Sequence, residues 1–154
     1  MNDERYKKFK ASALQFTAYR ERAPLEVANK LEEWDAKPQE IERLLKELKE
    51  ENFIDEERFA RAFCHDKFLI NKWGKRRISR EISKFGLPKP VVEQGLEYID
   101  QKKYETTLAH LAKLKWDKLK DLEVFKRKQK TIKHLLQKGY EYELIWDVVT
   151  EMKI

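Results

Sequence analysis

One pattern of apolar and turn positions occurs three times along this 154-residue chain. The second copy lies 51 residues after the first, and the third lies 53 residues after the second. A single offset between two neighbouring copies aligns both the apolar positions and the turn positions. This argues against a chance alignment of amphipathic segments. Repeats of this length are typical of arrays whose units pack mainly on their sequence neighbours. The matched sets are Leu31, Ile82 and Leu135; Asp35, Gly86 and Gly139; Ile41, Val92 and Ile145; and Leu45, Leu96 and Val149.

Each copy contains one longer amphipathic segment followed by two shorter ones, which predicts three helices per unit. Only four glycines and four prolines occur, too few turn-forming residues for an all-β sandwich. Strong helix formers, chiefly Glu, Lys, Leu and Arg, dominate instead. We therefore predict an all-α protein of three tandem three-helix repeats, with boundaries at residues 1–51, 52–100 and 101–154.

The central repeat has the clearest helix signals. Asp55 and the two glutamates after it place negative charge where a helix N-terminus favours it. The apolar residues of this helix recur at helical spacing, which predicts one buried face formed by Phe59, Phe63 and Ile70. Trp73-Gly74 is predicted to interrupt the helix. A second helix is predicted from Lys75, with Ile78, Ile82 and Phe85 buried and Gly86 ending it. The other predicted helices cover 5–21, 24–34, 38–52, 90–99, 102–116, 126–139 and the stretch from about 141, and 114–125 is interpreted as a loop or a helix break.

Charge is strongly segregated along the chain, although the net charge is only +6. Residues 31–66 contain six Lys or Arg against twelve Asp or Glu. Residues 67–90 contain eight against one, and residues 101–139 contain twelve against four. Two basic surfaces of this kind are suited to a polyanion or an acidic protein groove, whereas a solvated face is the simpler interpretation of any single basic helix.

The basic positions differ between repeats. Arg77 and Arg80 correspond to Lys130 and Lys133 in the third repeat, but to Glu26 and Asn29 in the first. Because the stripe is missing from one repeat, we interpret it as functional rather than as required for folding, and divergence is the alternative explanation. Reversal of the charge of Glu26 is therefore expected to have little effect on function.

Catalytic and metal-binding patterns are not evident. Cys64 is the only cysteine, so no disulfide can form within the chain, and it is predicted to be a small buried residue. The three histidines, His65, His110 and His134, form no metal-ligand spacing, and no glycine-rich phosphate loop occurs. The first ten residues lack the apolar segment typical of a signal peptide, and no apolar run is long enough to span a membrane, so we expect a protein that is not exported. We expect a cytoplasmic protein that is not an enzyme and needs no cofactor, with the four tryptophans in the core.

The motifs of the central repeat resemble those of the RecX family, the regulators of the bacterial recombinase RecA. The likeness covers nearly the whole chain. It departs from the family pattern at 34–36, where a Lys-Gly turn is usual, and in the linker at 113–124. The matching stretches are 53–60 (FIDEERFA), Trp73-Gly74, Arg77-Ile78, Glu81-Ile82, Lys84-Phe85-Gly86, 134–140 (HLLQKGY) and Ile145, with 23–27 and Lys30-Leu31 upstream.

The resemblance implies an elongated, curved array that binds in the groove of a RecA–DNA filament. It further implies inhibition of the ATPase, strand-exchange and co-protease activities of the filament, and weak, non-specific binding to single- and double-stranded DNA. A monomer is expected. Ten cations are predicted to contact the filament or its DNA: Lys72, Lys75, Arg76, Arg77, Arg80, Lys84, Lys126, Arg127, Lys130 and Lys133.

A stand-alone nucleic-acid-binding protein of helix-turn-helix type is the alternative. Three-helix units with a basic helix also describe that class. A base-reading helix favours Arg, Asn or Gln grouped at its N-terminal end. Here Lys75-Arg76-Arg77 is followed by further basic residues, which suits contact with phosphates better than contact with bases.

Overall fold

The computed structural model describes residues 3–152, and this part of the chain contains nine α-helices, one short 3₁₀ helix and no β-strand. The predicted all-α class is therefore confirmed. Three α-helices fall within each predicted repeat. In chain order they are α1 (Asp3–Tyr19), α2 (Pro24–Glu33), α3 (Pro38–Glu50), α4 (Glu56–Leu69), α5 (Lys75–Ile82), the 3₁₀ helix (Ser83–Phe85), α6 (Lys89–Glu97), α7 (Gln101–Lys118), α8 (Val124–Lys138) and α9 (Tyr142–Glu151).

The three matched turn positions share one backbone conformation. Asp35, Gly86 and Gly139 all have positive φ angles, of 67°, 66° and 100°. A left-handed residue at this place ends a helix and redirects the chain, and glycine adopts it without a Cβ penalty. The preceding apolar positions, which include Leu31 and Leu135, are fully buried. The structure thus confirms the repeated element that the sequence spacing predicts.

The chain divides into two compact units, one formed by Met1–Ala62 and Ile82–Gln94, the other by Phe63–Glu81 and Gly95–Ile154. The first unit has a core of apolar side chains from its first three helices and from the turns after α2 and α3. Truncation of one such leucine or isoleucine to alanine typically costs about 2–5 kcal/mol. The buried members of this cluster are Tyr6, Phe9, Ala13, Val27, Leu31, Ala36, Leu44, Leu48 and Ile54.

Two glutamates fix the starts of helices in the first unit. The Glu26 carboxylate accepts the Ala23 N–H at 3.0 Å, and the Glu40 carboxylate accepts the Lys37 N–H at 2.9 Å. Each bond satisfies one of the N–H groups that a helix start leaves without a partner. Glu40 also accepts a bond from Arg5 Nε at 3.0 Å. This arginine contact, followed by the backbone bond, lowers the pKa of Glu40.

The second unit is built around two buried tyrosines. The rings of Tyr104 and Tyr140 are tilted against each other with centroids 5.1 Å apart, and Phe68 lies 5.6 Å from Tyr104. Burial raises the pKa of both phenols well above the usual value. The remaining buried apolar residues of this unit include Cys64, Ile78, Ile99, Leu108, Ala112, Trp116, Leu135, Ile145 and Val149.

The buried face of α4 differs from the predicted stripe. Asp55 does cap this helix, since its carboxylate accepts the Arg58 N–H at 3.0 Å. Phe59 is buried as expected, but Phe63 is only partly buried and Ile70 is 73% exposed. Because α4 ends at Leu69, a residue seven positions after Phe63 no longer follows the helical face. Ala60, Cys64 and Phe68 complete the buried face instead.

Two smaller predictions are also corrected, and one is confirmed. The helix from Lys75 ends at Ile82 and continues as the 3₁₀ helix, which leaves Phe85 partly buried, at 5.0 Å from the Phe59 ring. The segment 114–125 does contain the predicted helix break, which is confined to residues 119–123, because α7 continues to Lys118 and α8 begins at Val124. Trp146 is 49% exposed and so does not belong to the core.

Candidate functional site

A groove between α5 and α8 in the second unit brings together cations from two repeats. We call it the basic groove. It is shallow and open, and its walls combine the basic faces of the two helices. Its lining residues are Arg77, Arg80, Glu81, Lys133, Leu136 and Gln137.

The backbone fixes the position of α5 against the end of α8. The Gly74 N–H donates to the Lys138 carbonyl at 2.8 Å, and the Arg76 N–H donates to the Gly139 carbonyl at 2.9 Å. A Cβ on Gly74 would lie 2.3 Å from the Gly139 carbonyl carbon, and one on Gly139 would lie 2.3 Å from the Arg77 Cβ. Glycine is therefore required on both sides of this contact.

The buried tyrosines satisfy the backbone around the same contact. The Tyr104 hydroxyl accepts the Lys75 N–H at 2.9 Å and donates to the Glu141 carboxylate. The Tyr140 hydroxyl donates to the Lys72 carbonyl at 2.9 Å, next to a left-handed backbone with φ of 59° at Lys72. Buried polar groups that are paired in this way hold a unique geometry, because breaking any one bond leaves an unsatisfied partner.

Trp73 positions one cation of the basic groove. The Arg77 guanidinium lies 4.3 Å from the centre of the Trp73 ring, and its Nη1 donates to the Gln137 carbonyl at 3.4 Å. The Lys67 ammonium lies 5.2 Å from the same ring. Trp73 is partly buried and serves as a platform for cations. The guanidinium of Arg77 is thus oriented before any ligand binds.

Exposed cations flank this oriented arginine. The side chains of Arg76, Lys130 and Lys133 form no ion pair or hydrogen bond with any residue in 3–152, and all three are exposed. Glu81 is the one carboxylate among the lining residues. The groove therefore carries a net positive charge, and uncompensated cations of this kind attract phosphates or carboxylates.

The remaining predicted contact residues lie apart from the groove lining. Two of them have packing roles: Arg127 Nε donates to the Trp116 carbonyl at 2.9 Å, and the Lys75 ammonium lies 4.8 Å from the Tyr104 ring centre. Lys72 Nζ donates to the Leu69 carbonyl at 2.7 Å. Lys84 and Lys126 are exposed. Whether these residues contact a partner stays a prediction.

Three residues that line the groove are not among the contact residues predicted from the sequence, because only cations were predicted. Glu81 lies four residues after Arg77, and Leu136 and Gln137 lie three and four residues after Lys133. Residues at these spacings share a helix face. The same periodicity that relates the cations could therefore have identified them.

The other reactive side chains that the structure describes do not assemble into a site. No group of three His, Cys, Asp or Glu residues that could hold a metal ion occurs in residues 3–152. Cys64 is buried as predicted, and burial raises the pKa of its thiol to about 12. His65 and Asp66 are both exposed, and His65 Nδ1 lies 3.2 Å from Asp66 Oδ1. The pKa of His134 is lowered, first by burial and then by the charge of Lys115. No helix in this part of the chain is long and apolar enough to cross a membrane.

Two family models match the chain. Residues 55–96 match the second three-helix domain of RecX, and residues 103–149 match its third three-helix domain. The crystal structure of RecX from Lactobacillus salivarius superposes with a TM-score of 0.90, at 21% identity and over 97% of both chains. At that identity the likeness establishes the fold alone.

Relatives with the name regulatory protein RecX extend the match. The protein of Clostridioides difficile (strain 630) is 26% identical over 153 residues, which is 99% of this chain and 71% of that protein. That of Clostridium botulinum (strain Eklund 17B / Type B) is 35% identical over 106 residues, 68% of this chain but 49% of that protein. Since the two domain matches together cover more than half of the residues, the chain belongs to the RecX family of regulatory proteins.

Proposed function

We propose that this chain binds a RecA–DNA filament and inhibits its ATPase, strand-exchange and co-protease activities. Family membership supports a regulatory role. The single observation that carries the proposal is that Arg77, Arg80 and Lys133, from two different repeats, line one groove. The protein acts as a monomer in the cytoplasm and needs no cofactor.

The basic groove contacts the phosphates of the DNA in the filament. Each Lys or Arg that neutralises a phosphate releases counterions, which gives affinity without sequence preference. Arg77 contributes a guanidinium held on Trp73, so little conformational freedom is lost on binding. Lys130 and Lys133 add flexible point charges from α8. Binding to bare single- or double-stranded DNA is weak, because bare DNA contacts this one groove alone, whereas the filament also offers contacts with the recombinase.

The geometry of α5 argues against a base-reading helix-turn-helix protein. Recognition helices present the residues of their N-terminal turn to base edges in the major groove. In this chain the N-terminal turn of α5 packs against the end of α8, where the backbone of Gly74 and Arg76 bonds to Lys138 and Gly139. The backbone at the start of α5 is therefore already packed against protein, although the Arg76 side chain is exposed. Tight, sequence-selective binding to bare duplex would nevertheless favour that alternative.

A charge-reversal variant tests the proposal. Arg80→Glu/Lys133→Glu places two carboxylates in the basic groove, and we expect it to abolish inhibition of the ATPase of the recombinase from the same organism. Lys102→Glu/Lys103→Glu is the matched control. It makes the same change of charge at two exposed positions in the first turn of α7, where carboxylates are compatible with the helix dipole. We expect this control to inhibit as the parent does.

Three outcomes of the assay would count against the proposal. Loss of inhibition by both variants would indicate a general charge effect and would show that inhibition does not depend on the basic groove specifically. A folded Arg80→Glu/Lys133→Glu protein that inhibits as well as the parent would contradict the groove directly. Absence of inhibition by the parent at stoichiometric amounts would refute the family-based function itself.

A further inference from the structure

A second groove lies between α2 and α3 within the first unit, and its chemistry is opposite to that of the basic groove. We call it the acidic groove. Its volume is about 670 Å³, within the roughly 300–1,000 Å³ of typical ligand clefts. Its lining includes apolar Leu25, Ala28, Ile41 and Leu45, together with the carboxylates of Glu32 and Glu42.

The apolar lining is accessible and rests on a rigid support. Leu25 is 41% exposed, and Ile41 and Leu45 are partly buried. Val27 and Leu44, on the inner faces of the same two helices, are fully buried in the core. The groove is therefore already formed in the free protein, and binding there would require little rearrangement.

The two carboxylates have no partner among the described residues, unlike most others in this unit. Glu26, Glu40 and Glu47 pair with Arg20, Arg5 and Lys10. Within residues 3–152, neither Glu32 nor Glu42 forms an ion pair or a side-chain hydrogen bond. No Lys or Arg is among the described residues that line the groove. Two uncompensated negative charges thus lie beside an apolar surface.

Folding of a three-helix repeat does not require this acidic pair. The equivalent positions in the second repeat are Ser83 and Glu93, and Glu93 lies 4.0 Å from the Lys89 ammonium. In the third repeat they are Leu136 and Trp146. The combination of an apolar groove with unpaired carboxylates is therefore particular to α2 and α3.

We propose that the acidic groove binds an amphipathic α-helix of a protein partner, with an apolar face flanked by Lys or Arg. Such a helix places apolar side chains at one-turn spacing into a groove between two helices. Its flanking cations would pair with Glu32 on α2 and Glu42 on α3. Nucleic acid does not fit, because its phosphates would face these carboxylates. The proposal is independent of the filament function proposed for the basic groove.

A synthetic peptide provides the test. It has leucine at one-turn helical spacing and lysine at the other positions, and a scrambled peptide of the same composition serves as control. Titration into the full chain should perturb the amide NMR signals of α2 and α3 and leave those of α5 and α8 unchanged. Glu32→Gln/Glu42→Gln should bind about tenfold more weakly, since two ion pairs at the rim are lost.

A matched variant separates the groove from overall charge. Glu33→Gln/Glu50→Gln makes the same charge change at exposed positions on the same two helices, outside the groove lining, and should bind as the parent does. Equal binding of the scrambled peptide, or undiminished binding by Glu32→Gln/Glu42→Gln, would overturn the proposal. Concentration-dependent shifts of the α2 and α3 signals without peptide would also overturn it, by assigning the groove to a second copy of the chain.

Discussion

Gly74 packs directly on Gly139, so that a methyl group on Gly74 would lie 2.3 Å from the carbonyl carbon of Gly139. This contact joins residues 65 positions apart in the sequence. It sets the start of α5 against the end of α8 and thereby places Arg80 and Lys133 along one groove. Two glycines with no chemistry of their own are thus responsible for the geometry of the proposed binding site.

The Gly74–Gly139 contact predicts a large effect for Gly74→Ala. The added methyl must displace backbone rather than a flexible side chain, so we expect a loss of roughly 2–4 kcal/mol in the free energy of unfolding. Gly86→Ala is the comparison. At Gly86 the nearest atom to a new Cβ is 3.7 Å away, and only the positive φ opposes alanine, at about 1 kcal/mol. Chemical denaturation of both variants measures the difference. Equal losses would show that Gly74 is not under steric constraint.

A second prediction separates packing from binding on α5. Ile82 is fully buried, and Ile82→Ala should cost roughly 2–5 kcal/mol of stability. Arg80 is exposed, so Arg80→Ala should cost less than about 1 kcal/mol. Thermal unfolding followed by circular dichroism measures both. If the two variants melt alike, Arg80 has a structural role and the basic groove has been misinterpreted.

The elements that depend on nearby residues were predictable from the sequence. The turns at Asp35, Gly86 and Gly139 and the buried positions before them follow from local spacing. The exposure of Ile70 was not predictable from spacing, because it depends on where α4 ends. That end is fixed by the turn after Leu69, in which the Trp73 N–H bonds to the Lys67 carbonyl at 3.2 Å.

The site was only partly predictable for a related reason. The cations of α5 and α8 could be identified by repeat correspondence, but their meeting in one groove depends on the long-range backbone contact at Gly74. Sequence alone also could not separate Arg127, which packs on Trp116 at 4.0 Å from the ring centre, from the exposed Lys130 beside it. Charge is visible in a sequence, whereas the partner of a charge is a property of the fold.

The salt dependence of DNA binding gives a third prediction. If Arg80 and Lys133 each contact a phosphate, Arg80→Ala/Lys133→Ala should reduce the log–log salt slope by roughly two units, about one per contact. Fluorescence anisotropy with a labelled oligonucleotide at several salt concentrations measures the slope. Lys102→Ala/Lys103→Ala removes the same charge elsewhere and should leave it almost unchanged. Identical slopes for the two variants would exclude specific phosphate contacts in the groove.

A fourth prediction concerns acid stability. The pKa of Glu40 in the folded chain lies below its ordinary value near 4.5, first because of the Arg5 hydrogen bond. The unfolded chain therefore binds a proton at Glu40 at higher pH than the folded chain does. The stabilisation is complete above about pH 4.5 and is lost as the pH falls through the lowered pKa.

Melting temperatures between neutral and acidic pH test this linkage. Glu40→Gln should be less stable than the parent at pH 7, and the difference should shrink as the pH falls below about 4.5. Glu33→Gln is the control, since Glu33 is exposed and makes only a surface ion pair with Lys30, so its substitution should change the melting temperature little. A constant gap between Glu40→Gln and the parent across this range would mean that the Glu40 carboxylate has no lowered pKa.

The last prediction concerns Glu26, which occupies the position of Arg77 and Lys130 in the other repeats. The missing cation in the first repeat suggested a functional difference, but the structure provides a folding reason for the glutamate. Its side chain, 16% exposed, accepts the Ala23 N–H at 3.0 Å and pairs with Arg20 and Arg22. A cation at this position would face both arginines and leave the helix start uncapped.

We therefore expect Glu26→Lys to lower the free energy of unfolding by about 1–2 kcal/mol, as removal of a helix cap does. Asn29→Lys is the matched control, because Asn29 is exposed on the same helix and has no side-chain partner within residues 3–152. Asn29→Lys should have the same free energy of unfolding as the parent. If Glu26→Lys also has the same free energy of unfolding as the parent, the glutamate is dispensable for folding. The absence of a cation at this position of the first repeat would then again count as evidence for function, because no structural requirement would account for it.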